Sequence, residues 1–151
     1  MRNIVRALLV MAALLAVAAA QSHPSFEGTW YMDKVHSQYP AESVTEVIQE
    51  HGEAIDITIT EKRREQPTTP MQLHLTIDGK PTTSTVGPNK FTATTHWEEG
   101  KLVTFVEGER GQHMIETRQL SSDGKTLTVT GFHQDELKKP YYVRVMTRNN
   151  P

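Results

Sequence analysis

The sequence predicts an all-β fold, an antiparallel up-and-down β-barrel of about 8–10 strands. Three observations predict it. From Thr95 to Thr130 the chain reads THWEEGKLVTFVEGERGQHMIETRQLSSDGKTLTVT, four short runs rich in Thr, Val, Ile, Phe and Trp. Such residues suit a pleated strand. Glu98-Glu99-Gly100, Gly108-Glu109-Arg110-Gly111 and Ser122-Asp123-Gly124-Lys125 separate the runs as tight turns. Second, Ile55, Ile57 and Ile59, and again Met71, Leu73, Leu75 and Ile77, alternate with polar residues at a period of two. Third, no helix-period segment follows the first twenty residues. About ten strands at a spacing of roughly 8–12 residues would leave two open edges unless the sheet closes, which favours a barrel over a sandwich.

Taken in order, Phe26 to Met32 opens the domain as a strand. Asp33 to Ser43, with Pro40, is a connection with room for one helical turn. Val44, Glu46 and Ile48 alternate against Thr45, Val47 and Gln49, and His51-Gly52 turns the chain into the isoleucine strand. Lys62 to Pro70 is a polar loop; its Lys62-Arg63-Arg64 run reads as a solvated face. After the methionine–leucine strand, Asp78-Gly79 and Gly87-Pro88-Asn89 bracket a short strand, Thr82 to Val86. Phe91 to Trp97 leads into the meander. His133 to Lys139 is a charged loop, and Pro140, tolerated at a strand's start, introduces the last strand, Tyr141 to Arg148.

Residues 1–20 are expected to be a signal peptide. Arg2 and Arg6 form a positive start, Ala7 to Val17 an apolar stretch too short for a membrane span, and Ala18-Ala19-Ala20 a small-residue cleavage site. No Cys follows, so no lipoprotein anchor is expected; the protein is expected to be secreted or periplasmic. Residues 21–151 then form a single domain with no transmembrane segment, expected to be a monomer. Removing Arg2 and Arg6 leaves 14 basic residues against 18 acidic ones, a net charge of −4 with His neutral. That balance lacks the basic footprint of a nucleic-acid binder. With no Cys the domain must rest on its core, which a chain of about 130 residues can supply.

Gly28-Thr29-Trp30 in the first strand resembles the G-x-W entry of the calycins, the lipocalins and the fatty-acid- and retinoid-binding proteins. Trp97 to Val103, Thr117 to Leu120, Asp123-Gly124, Leu127-Thr128 and Tyr142 to Val145 resemble the second group in order. The whole of residues 21–151 is similar in pattern to small secreted bacterial lipocalin-like domains. The resemblance implies a barrel that binds a small hydrophobic or amphipathic molecule, and structural roles for Gly28, Trp30 and Trp97. Arg144 or Arg148 could cover the Trp30 indole, or Trp30 could be plain core. The resemblance also implies that two arginines inside the barrel, here Arg118 and Arg144, hold a ligand carboxylate. With Arg118 inward, Met114, Glu116 and Leu120 face inward too; with Arg144 inward, Tyr142 and Met146 do. Buried arginines need partners, and Glu116 is the expected one in the absence of ligand. Tyr142 would donate a hydrogen bond to the headgroup. The other readings are a structural Arg–Glu pair, or arginines on the outer face. Two departures stand out. Asp33 to Ser43 is too short for the helical lid of the intracellular binding proteins, and their R-x-Y in the last strand is Arg144-Val145-Met146 here.

Enzyme signals are poor: the chain has no G-x-S-x-G, no Cys nucleophile and no H-E-x-x-H. Glu98 and Glu99 are adjacent in a turn and do not make a carboxylate dyad. Seven His residues are scattered without ligand spacing, although a meander could bring His96, His113 and His133 together. A chain starting Gln21-Ser22-His23 would offer amine, amide and imidazole nitrogens to Cu(II) or Ni(II). No metal site and no cofactor are expected otherwise. The expected role is binding of a small apolar or amphipathic ligand; the alternatives are an interaction or envelope module with a side-chain-filled barrel and, third, an enzyme.

Overall fold

A computed structural model describes residues 23–68 and 70–149. The expected signal peptide, and Gln21 and Ser22 of the possible Cu(II) or Ni(II) site, lie outside the described residues. Ten antiparallel strands follow one another: β1 (Gly28–Met32), β2 (Ser43–His51), β3 (Ala54–Lys62), β4 (Met71–Thr76), β5 (Pro81–Val86), β6 (Asn89–Glu98), β7 (Lys101–Gly108), β8 (His113–Leu120), β9 (Thr126–His133) and β10 (Tyr142–Thr147). There is no helix among the described residues; the connection between β1 and β2 runs in turns and touches β10 through a Gln38–Val143 bridge.

The sheet order is β4-β3-β2-β1-β10-β9-β8-β7-β6-β5, so every neighbour is a sequence neighbour except the β1–β10 pair that closes the meander. Tyr31 faces Thr147 and Met32 faces Met146 across that seam. The barrel is nearly rather than fully closed. β4 and β5 share no ladder; the hydrogen bond from the His74 N–H to Ser84 Oγ, 3.2 Å, spans them. Pro81 opens β5, whose only ladder among the described residues is to β6, where it lies opposite Thr94; a strand's first position on a sheet edge tolerates proline.

Alternation sends one set of side chains inward on every strand, and the set divides by height. At the end where β1 begins, Phe26, Trp30, Ile48, Leu102, Leu127 and Met146 pack into a closed core. Trp30 is fully buried, and its Nε1 donates to the Phe26 carbonyl at 2.7 Å. Arg148 lies over the indole, its Cζ 4.3 Å from the ring centroid, and Arg148 Nη1 donates to the Glu27 carbonyl at 2.8 Å. Gly28 explains the G-x-W spacing: its φ is +127°, and a Cβ there would collide with Arg148 Nη1. Arg148, not Arg144, is therefore the residue covering Trp30. Trp97, half-buried, stacks with Phe26 at 5.4 Å and with His23 at 4.4 Å.

Candidate functional site

The site is set by the register of β8, β9 and β10. Glu116, Gly131 and Tyr142 form one cross-strand row. Arg118, Val129 and Arg144 form the next row toward the closed end, and Leu120, Leu127 and Met146 the row below that. The side chains expected inward on β8 and β10 are inward, and their register stacks a polar layer on an apolar floor. Met146, expected to line a ligand site, belongs to that floor: it is fully buried in the packed end and does not line the cavity.

Above the floor lies a cavity of about 680 Å³ that reaches the mouth at His113, His133, Gln134 and Asp135. One wall is apolar, made by Ile59, Met71, Leu73, Leu75, Phe91 and Ala93 from β3, β4 and β6. The other carries Glu116, Arg118, Tyr142 and Arg144, with Thr104 beside Glu116 on β7.

Several charged side chains meet there. Arg118 Nη1 and the Tyr142 hydroxyl donate to the two oxygens of Glu116, and Arg144 Nη2 adds a bond of 3.2 Å. Glu46 from β2, 0% exposed, approaches Arg144 Nη2 at 2.9 Å and Arg118 Nη2 at 3.5 Å. Neither approach has hydrogen-bond alignment, so Glu46 is held by charge attraction. At the mouth side, Glu61 Oε1 lies 4.0 Å from Arg144 Nη1 and accepts the Tyr39 hydroxyl, while its other oxygen takes Arg63 at 2.9 Å. The Arg144 guanidinium also sits over the Tyr39 and Tyr142 rings, 5.1 and 5.2 Å from their centroids.

The titration behaviour follows from this packing. Burial pushes the Glu116 carboxyl up, but Arg118, Arg144 and the Tyr142 hydrogen bond outweigh it and hold the group below its ordinary 4.5. Burial, then the neighbouring Glu116 charge, raises the Tyr142 phenol well above 10, so it stays a donor. Burial and the bond to Glu61 push Tyr39 up to about 12.

Tyr142 reaches Glu116 across β9, which lies between them. That path exists because residue 131 is glycine: a Cβ at Gly131 would collide with three atoms of the Tyr142 ring. Sequence reasoning brought Arg118, Arg144, Glu116 and Tyr142 together and missed Glu46, Glu61, Tyr39 and Arg63. Glu46 had a signal, a carboxylate in the inward phase of Val44, Glu46 and Ile48. Arg63 is exposed, as the solvated reading of Lys62-Arg63-Arg64 expects, and it also pairs with Glu61. The three histidines do not converge: His96 lies near the end of β6 opposite Val103, far in register from His113 and His133. Among the described residues no group of three His, Cys, Asp or Glu side chains is placed to hold a metal.

No protein-family model matches the sequence, and no curated protein matches it by sequence. Solved structures do match its shape. A secretary abundant heat soluble (SAHS) protein from Ramazzottius varieornatus superposes with a TM-score of 0.66 at 11% identity, covering 85% of this chain and 98% of that one. Lipid binding protein 8 of Caenorhabditis elegans gives 0.61 at 16%, covering 82% and 95%. The fatty-acid-binding protein isolated from Manduca sexta gives 0.53 at 12%, covering 82% and 99%. The fold is calycin-like; at these identities the likeness speaks for the fold alone.

Proposed function

We propose that the chain is a binding protein for a small hydrophobic or amphipathic molecule, taken up in the barrel with its polar end toward Arg118, Arg144, Glu116 and Tyr142. The observation that carries this reading is the cavity of about 680 Å³ with one apolar wall and one polar wall. A pocket of that size with few polar groups is the usual form of a small-molecule site. A buried ion cluster is weak evidence for stability, because apolar residues of similar volume would serve as well; its place beside the cavity gives it a use. Two of the solved structures of similar shape carry lipid- and fatty-acid-binding names, which agrees with the reading. The hollow mouth half also weighs against a side-chain-filled module. We further propose that residues 1–20 direct export and are removed, so that the exported protein begins at Gln21; intact mass measurement of exported material checks this, and retained Met1 would refute it.

The binding test uses Nile red, an uncharged apolar dye. Delipidated protein should take it up with a blue-shifted emission. Val106→Trp, which fills part of the cavity from β7, should weaken uptake at least about tenfold, equivalent to about 1.4 kcal/mol, while keeping the β-sheet spectrum. Equal uptake by both proteins would place the dye elsewhere and remove the basis for the reading.

A further inference from the structure

We infer that the polar wall selects an uncharged head, such as a hydroxyl, amide or ester, and discriminates against a carboxylate. The inference rests on the binding role proposed above and concerns the same site. Its ground is the charge balance around the two arginines. Arg118 and Arg144, 1% and 2% exposed, face Glu46 and Glu116, 0% and 7% exposed. Two positive charges meet two negative ones, and Glu61 with Arg63 forms a further balanced pair beside them. An incoming carboxylate would shed its water and find no net positive charge in return. Each attraction to a guanidinium would be offset by repulsion from a glutamate at similar range, and the buried cluster would carry an uncompensated charge.

An uncharged head meets no such penalty. Charge is balanced in the cluster, but hydrogen bonding is incomplete. Arg118 Nε and Nη2, and Arg144 Nε, have no hydrogen-bond partner among the described residues, and both arginines line the cavity together with the Glu116 carboxylate, whereas Glu46 balances charge from outside the cavity wall. A ligand oxygen can accept from a guanidinium, and a hydroxyl or amide hydrogen can go to a carboxylate, without changing the net charge. Thr104, in the cavity wall beside Glu116, offers a further hydroxyl. Two paired glutamates thus turn an arginine pair that would clamp an anion into a neutral hydrogen-bonding surface.

The test is displacement of Nile red by dodecanol, dodecanamide and dodecanoate near neutral pH. Dodecanol and dodecanamide should compete at least about tenfold better than dodecanoate, about 1.4 kcal/mol. Dodecanoate should gain as the pH is lowered toward its own protonation. Glu116→Gln leaves the cluster one charge positive and should reverse the order; Glu46→Gln does the same from another strand and serves if the first variant folds poorly. Dodecanoate competing as well as dodecanol in the wild type overturns the inference while leaving the binding role standing. No Nile red uptake at all would remove both.

Discussion

The two ends of the barrel are made from the same alternating strands, yet one is solid and the other hollow. On β7, and in part on β6, the difference lies in side-chain volume at inward positions, not in the inward–outward pattern. At the closed end those positions hold Trp30, Ile48, Leu102, Leu127 and Met146, with Phe26 plugging the opening. Toward the mouth, β6 and β7 turn Ala93, Thr104, Val106 and Gly108 to the cavity. Interiors pack to near-crystalline density when the side chains can fill them; these small residues do not reach the larger side chains of the facing β3–β4 wall, and the cavity lies between. The polar row of Arg118 and Arg144 marks the boundary. The packed core lies below it and the cavity above it.

The largest effect that would break this division is at Trp30. Trp30→Ala should cost about 3–5 kcal/mol, as large truncations in filled cores do. Phe91→Ala, also an aromatic truncation but on the cavity wall, should cost less than about 2 kcal/mol, since Phe91 is only half-buried and already borders empty space. Urea denaturation of the two variants measures both. Similar losses would mean that the mouth half is as tightly packed as the closed end in solution.

Acid should separate the ends next. Glu116 is held below its ordinary 4.5 in the folded barrel. Below that value the unfolded chain binds the extra proton first, so unfolding becomes easier as the medium is acidified. The contribution of Glu116 is present above 4.5 and is lost as the pH falls through the lower folded value. Urea midpoints should therefore decline on the acid side, and Glu116→Gln should flatten part of that decline. Trp30→Ala should shift the whole profile down without changing its slope. A slope unaltered by Glu116→Gln would show that the cluster does not titrate with unfolding.

How far the sequence reached follows the same boundary. Strand order and phase were legible because a period of two reports direction without needing depth. Period two groups Arg118 with Glu116 and Arg144 with Tyr142; that this face is the inner one is implied by the calycin resemblance, and the four side chains are found on the inner face. Depth was not legible. Met146 has the same phase as Arg144, and only the pairing of Met146 with Leu127 shows it to be floor rather than wall. Nor does alternation tell whether an inward position is filled, so the cavity was invisible. Tyr39 comes from an irregular connection, where no period points anywhere, and Glu61 lies just past the isoleucine repeat. The near-closure at β4 and β5 was also hidden, because ladder partners are set by twist and loop length rather than by either strand alone.

The smallest expected effect sharpens the boundary most. In an ordinary strand, replacing Gly by Ala is stabilising or neutral, because Gly loses the most backbone freedom on folding. Gly131 should behave oppositely. Its missing Cβ is the space through which the Tyr142 ring crosses β9 to reach Glu116. Gly131→Ala should cost about 1–3 kcal/mol through overpacking, and it should push the ring off that path. Tyr142→Phe in the wild type removes a hydrogen bond to a charged acceptor and should cost about 1.5–3 kcal/mol. If the glycine exists to seat that bond, the two losses cannot add: once the introduced methyl group has displaced the ring, removing the hydroxyl takes away nothing further. The double variant should then be about as stable as Gly131→Ala alone. A double-mutant cycle read by urea denaturation decides this. Losses that add to within about 0.5 kcal/mol would show that Tyr142 finds Glu116 without the help of Gly131, and the polar layer would be less tightly determined than its geometry indicates.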